Sequence, residues 1–144
     1  MDGSKEKSEY TFVATNPSTR MVYMEDLTDK RANTVNKAIK NMMKQFKVDV
    51  LIPDNGTEFN KLYYFALRGI KVYYTHVNAP WEKWYVENTI KQIRQQFGIK
   101  KGEPFPNNWT TLCKKIQNDY NNKPKIELNL LTPSYLYYKY QELC

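Results

Sequence analysis

Histidine and cysteine are almost missing from this chain of 144 residues, which has one His, at position 76, and two Cys, at 113 and 144. Without a Cys-x-x-Cys pair or a second histidine, a zinc centre built from this chain is not expected. No apolar run approaches the roughly 18 residues that a membrane-spanning helix requires. The first residues are polar and charged, unlike a secretory signal peptide. Low-complexity tracts and internal repeats are missing too. These absences leave one domain over residues 1–144, which the order of elements below makes α/β, in the reducing cytoplasm with no membrane partner.

What is present is positive charge. Lys and Arg number 22 against 15 Asp and Glu, a net charge of +7 and a sequence pI near 9.3. A basic surface favours polyanions, nucleic acid first among them. Lysine drift in an A/T-rich genome explains the same excess, and also the many Asn and the 12 Tyr.

Along the chain, Tyr10 to Ala14 and Met21 to Met24 are β-prone runs around the turn cluster Asn16-Pro17-Ser18-Thr19, so an antiparallel hairpin is expected. Val35, Ile39, Met42 and Phe46 then fall at i, i+4, i+7 and i+11, one face of an amphipathic helix. Val48 to Ile52 reads as a short buried strand. Lys61 to Leu67 reads as a short helix closed by Gly69, and Ile70 to Tyr74 as another strand. Two further helices carry Val86, Ile90, Ile93 and Phe97, and then Trp109, Leu112, Ile116 and Tyr120. Thr132 and Pro133 are placed as N-cap and first residue of a last helix. The order describes a mixed sheet flanked by helices.

The chemistry concentrates at two acids. Asp54 stands at the end of the Val48–Ile52 strand, just before the turn-forming Asn55-Gly56, where a strand delivers a carboxylate to a loop. Glu87 follows after 32 intervening residues, at the start of a helical segment. Brought together, a strand-end Asp and a helix Glu form half of a divalent-metal site for phosphoryl chemistry. A turn-forming Asp and a helix-start Glu favoured by the helix dipole are the plain readings of the same residues. Lys91 and Arg94 share a helix face with Glu87, placed to pair with phosphates or simply to form a surface Glu–Lys pair. Lys83, Lys100 and Lys101 extend that track. His76 reads as structural, Trp81 and Trp109 as core or rim, and Cys113 as a small buried apolar residue.

Four segments in order carry a resemblance: Ile52 to Phe59, with Pro53-Asp54-Asn55-Gly56-Thr57-Glu58-Phe59; Asn78-Ala79-Pro80-Trp81; Glu87-Asn88-Thr89 running into Ile93-Arg94-Gln95-Gln96-Phe97; and Asp119-Tyr120-Asn121-Asn122-Lys123-Pro124 with Leu130-Leu131-Thr132-Pro133. Together they resemble the catalytic core of DDE transposases and retroviral integrases, on the insertion-sequence branch, from about Tyr10 onward. The resemblance implies a ribonuclease H-like mixed sheet flanked by helices. It implies metal-dependent DNA cleavage followed by strand transfer, with Mg²⁺ (Mn²⁺ as substitute) as the cofactor, two ions in all. Asp54 would bridge both ions, with Asp2 and Glu87 holding one each.

Asp2 is the acid that matches the family's first Asp, with 51 residues between it and Asp54. Met1-Asp2-Gly3-Ser4 is also readable as a cloning remnant, with Glu25 and Asp26 as the fallback acids. Asn55 orients the loop or touches DNA; with Lys83, Lys91 and Arg94 it makes up the DNA-binding set. Glu58 is expected to support the turn rather than to ligate. Trp84 stands where the family usually has Gly, one turn before the catalytic Glu. DNA is the implied partner, a homodimer or higher oligomer the implied assembly, and the chain is expected to be a piece lacking the module that reads element ends. The alternatives are a ribonuclease H-like nuclease without strand joining, and a catalytically decayed DNA-binding or assembly module.

Overall fold

Asn16 begins the hairpin turn chemically: its Oδ1 accepts hydrogen bonds from the backbone N–H of Ser18, at 2.8 Å, and of Thr19, at 3.1 Å. Arg20 then takes a positive φ of 64°, and Asn16 N–H closes the turn onto the Met21 carbonyl at 2.9 Å. In the computed structural model, residues 10–53, 56–74, 84–98 and 107–143 are described. The turn joins β1 (Tyr10–Thr15) to β2 (Val22–Leu27) in a two-stranded sheet. After it come α1 (Ala32–Gln45), β3 (Val50–Leu51), a 3-10 turn at Thr57–Phe59, α2 (Tyr63–Ala66) and β4 (Lys71–Val72). The chain ends with α3 (Trp84–Phe97), α4 (Trp109–Asn121) and α5 (Pro133–Leu143). By internal contact it divides into two compact units, Met1–Tyr10 with Leu27–Trp84, and Thr11–Asp26 with Tyr85–Cys144.

In the Leu27–Trp84 unit, the apolar period of α1 buries Val35, Ala38, Ile39 and Met42. Phe46 does not continue that face: it is the C-cap residue, with extended backbone at φ −130°, and is only half-buried. The start of α1 is held by Asp29, whose Oδ1 accepts from Arg31 N–H at 2.8 Å and from the Thr34 hydroxyl at 2.6 Å. These bonds stabilise the carboxylate, the Thr34 hydroxyl most of all, and hold the Asp29 pKa below its ordinary value. α2 ends as the sequence reads. Gly69 adopts φ 88°, its N–H bonds the Ala66 carbonyl, and Ile70 N–H bonds the Phe65 carbonyl. That pair of bonds is the Schellman closure, which needs a residue tolerant of the left-handed conformation.

β3 and β4 pair in parallel, Val50 with Lys71 and Leu51 with Val72. The expected buried five-residue strand is corrected here. Only two residues enter the ladder, and Val50 and Ile52 are 44% and 50% exposed. A two-residue ladder with one hydrogen-bonded neighbour covers little side-chain surface, whatever the β-propensity of the run.

The Thr11–Asp26 and Tyr85–Cys144 unit is built around Val22, Met24, Ile93, Trp109, Cys113, Ile116 and Tyr120. Ile93 comes from α3, while α4 contributes Trp109 and then a stripe at 113, 116 and 120. Burial pushes the Cys113 thiol up to about 12, so it behaves as a small apolar side chain. Burial also raises the Tyr120 phenol, whose O–H donates to Gln92 Oε1 at 3.1 Å.

α4 also does what a neighbouring strand would do for β2. Asn121 Oδ1 accepts from Val22 N–H and its Nδ2 donates to the Val22 carbonyl, both at 2.8 Å. Gln117 Oε1 accepts from Met24 N–H at 2.9 Å, and Lys114 Nζ donates to the Met24 carbonyl at 2.8 Å. Residues 114, 117 and 121 share one helix face, so alternate backbone groups of β2 find their partners on side chains. The Trp109 indole N–H donates to Thr11 Oγ1 at 2.8 Å, anchoring the start of α4 to β1. α5 opens as expected, with Tyr135 N–H donating to Thr132 Oγ1 at 3.0 Å and Pro133 at the first helical position.

Candidate functional site

Described residues flank the first candidate acid on both sides. Pro53 is buried, Gly56 is half-buried, and the 3-10 turn Thr57–Phe59 starts directly after it. Asp54 and Asn55 themselves lie outside the described residues, as do Asp2 and Lys83. The turn is tied down from β4's end, since the Tyr74 hydroxyl donates to the Phe59 carbonyl at 2.6 Å.

Gly56 has an ordinary φ of −75°, so only the Glu58 side chain crowds the position. A Cβ at this position would come within 2.5 Å of Glu58 Oε2. The Glu58 carboxylate therefore folds back over the start of its own turn, beside the residue that follows Asp54-Asn55. That supports the reading of Glu58 as a turn-supporting group.

Glu87 lies in the first turn of α3 and is exposed. Lys91 and Arg94 are exposed as well. At about 100° per residue, positions 87, 91 and 94 fall within a narrow sector. The opposite sector carries Thr89 and Ile93, which are 2% and 4% exposed. One helix thus presents an acid and two cations to solvent on one face and seals the unit's core with the other. Trp84 begins this helix.

The fallback acids have other work. Asp26 Oδ2 accepts from the Thr110 hydroxyl at 2.6 Å, and Glu25 Oε1 accepts from the Tyr23 hydroxyl at 2.8 Å. Among the described residues no three His, Cys, Asp or Glu side chains are grouped to hold a metal ion. Glu87 is the one described member of the expected trio. Its exposed carboxylate can coordinate a cation without first breaking out of a core, and the Asp/Glu oxygen chemistry of the set fits a hard divalent ion. Among the same residues no helix is long and apolar enough to cross a membrane. The motifs did not single out Lys37, Lys40 and Lys61 around Tyr64; the signal available was the lack of any acid in α1.

The architecture is that of an integrase catalytic core, a ribonuclease H-like α/β fold. The solved catalytic core domain of BIV integrase matches with a TM-score of 0.74 at 18% identity, over 92% of this chain and 88% of that one. In sequence, the chain is similar to insertion-sequence transposases. It is 33% identical over 120 residues to the transposase for insertion sequence element IS4351 of Bacteroides fragilis, covering 81% of this chain and 36% of that protein. It is also 33% identical over 77 residues to the probable transposase for insertion-like sequence element IS1161 of Streptococcus salivarius, covering 54% of this chain and 22% of that protein. No family sequence profile matches the chain. The chain spans about a third or less of the length of these relatives. The resemblance carried by its motifs holds: the chain is similar in sequence to insertion-sequence transposases and in fold to a retroviral integrase catalytic core.

Proposed function

We propose that this chain is the catalytic core of a DDE transposase. It cleaves a phosphodiester at the end of a mobile element and uses the freed 3′-hydroxyl to attack target DNA. The observation that carries this reading is the solvent face of α3, where Glu87 heads a helix with Lys91 and Arg94 on the same side. It stands in a chain whose relatives are named transposases.

Asp2, Asp54 and Glu87 are the residues that would hold two Mg²⁺ ions. Bound divalent cations supply Lewis-acid polarisation of the scissile phosphate and charge neutralisation of the attacking and leaving oxygens. The chain's own residues do the positioning. Lys91 and Arg94 pair with backbone phosphates beside the reacting bond, which fixes register without reading sequence. Lys83 and Asn55 extend that contact, and Glu58 supports the turn that begins at Gly56. Holding two element ends at once calls for at least two copies of the core.

The test is Asp54→Asn. Mg²⁺-dependent cleavage and joining of a labelled duplex should vanish, while salt-sensitive binding of the same duplex stays within about twofold. Cleavage at the wild-type rate in that variant would remove the assignment. Cleavage without joining in the unmodified protein would replace the transposase reading with that of a plain nuclease.

A further inference from the structure

The helix α1 has three lysines and not one acid, and the segment from Lys30 to Val48 has the cations Lys30, Arg31, Lys37, Lys40, Lys44 and Lys47 with no carboxylate among them. The segment from Phe59 to Thr75 repeats the pattern, with Lys61, Arg68 and Lys71 and no acid. These two segments meet in an open groove of about 440 Å³, whose walls include Asn36, Lys37, Lys40, Lys61, Tyr63 and Tyr64. All of it lies within the Leu27–Trp84 unit.

The groove is organised, not merely charged. Tyr64 is gripped from two directions, with Lys40 Nζ 4.3 Å from its ring centroid and the Arg68 guanidinium 4.5 Å away. Each such contact is worth about 0.5–1 kcal/mol at an exposed site, which biases both cations toward the ring. Asn36 Nδ2 donates to the Lys61 carbonyl at 3.0 Å, which pins the Lys61 backbone against α1. Tyr63 stands at the rim, 65% exposed. Among the described residues no carboxylate lines the groove.

The spacing suits one kind of polyanion. Lys37, Lys40 and Lys44 follow one exposed side of α1, and from 37 to 44 the helix rises about 10 Å at roughly 1.5 Å per residue. That is about three nucleotide steps at 3.4 Å per step along one strand of B-DNA. A flexible acidic peptide has no such fixed repeat to match.

We infer that this α1–α2 groove is a second DNA-binding surface, built from Lys37, Lys40 and Lys61 and separate in residues from Glu87, Lys91 and Arg94. It grips the phosphate backbone of duplex DNA without reading its sequence. The inference rests on the transposase reading for the identity of its partner, and it deepens that reading by assigning the partner a second contact.

The test measures binding of the 144-residue chain to a labelled 30-base-pair duplex by fluorescence anisotropy, in EDTA, across a salt series. The variant K37Q/K40Q/K61Q should flatten the slope of log K against log salt by about 2 to 3, and weaken binding near 0.1 M salt on the order of 10²-fold, because each lost phosphate contact carries about 0.9 of slope. K37R/K40R/K61R should restore the slope. K115Q/K123Q/K139Q removes the same charge from exposed positions on α4, α5 and the loop between them, and should change the slope by less than 1. Equal loss in both Gln triples would overturn the inference, since net charge alone would then explain binding. An unchanged slope in the groove variant would overturn it as well, and so would competition by polyglutamate as effective as by unlabelled duplex. Because metal is absent, failure of the cleavage assignment leaves this result intact, and failure of the groove leaves cleavage intact.

Discussion

The two units of this chain solve the same problem, a short strand that needs cover, by different means. In the Leu27–Trp84 unit, the buried side chains of α1 are apolar and the strand pair β3–β4 stays half-exposed. In the Thr11–Asp26 and Tyr85–Cys144 unit, the buried polar residues Thr19, Thr89, Gln117, Asn121 and Lys125 work alongside the apolar core. Lys125 is the extreme case. It is 8% exposed, its Nζ lies 3.5 Å from the Tyr120 ring centroid, and burial lowers its pKa from the ordinary lysine value. The second unit thus invests its polar groups inward, to satisfy a strand. The first exposes cations, Lys37, Lys40 and Lys61 among them.

The sharpest way to break that contrast is Asn121→Ala. It leaves both the N–H and the carbonyl of Val22 buried without their partner. Each buried group left unmet costs about 1–3 kcal/mol, so the loss should total roughly 2–6 kcal/mol in urea unfolding. A change below about 1 kcal/mol would mean that the side-chain strap contributes nothing to holding β2.

Thr132→Ala removes the side-chain cap of α5 and should cost about 1 kcal/mol by the same measurement. Ile116→Val takes one methylene from a fully buried position and should cost about 0.5–1.5 kcal/mol. The matching change Ile39→Val in α1 should fall in the same range if the two apolar cores are equally well packed. A clear difference between the two would rank them.

The smallest effect is a pH dependence confined to the first unit. The folded pKa of Asp29 is lowered, so its contribution is fully present above the unfolded carboxylate value of about 3.9 and is lost as pH falls through the lower folded value. Between pH 5 and pH 2.5, Asp29→Asn should therefore show a weaker decline in urea midpoint than the unmodified chain. Parallel declines would show that Asp29 does not tie the start of α1.

Where periodicity spoke alone, the sequence was informative. The apolar spacing located α1, α3 and α4 to within a residue or two, and Thr132-Pro133 marked the first turn of α5. Phe46 and the Val48–Ile52 run show the limit. Phe46 fits the period of α1, yet the helix stops at Gln45 and Phe46 turns extended. The Val48–Ile52 run has the composition of a buried strand, yet only Val50–Leu51 pairs, because ladder length depends on a partner elsewhere in the chain. At the candidate site, Glu87, Lys91 and Arg94 were legible from helical spacing. The folding of Glu58 over Gly56 was not, since it depends on the path of the turn.

The sequence by itself determined the helices, the hairpin turn and the motif order that carries the similarity to transposases. Each of these is written in local spacing, turn chemistry or capping, and so needs no distant partner. Only the tertiary structure decided that Asn121 and Gln117 serve β2, a pairing across 99 and 93 positions, and that Lys61 joins Lys37 and Lys40 around Tyr64. Contacts between residues far apart in sequence leave no periodic trace, because they are fixed by where the elements pack and not by the order in which their residues occur.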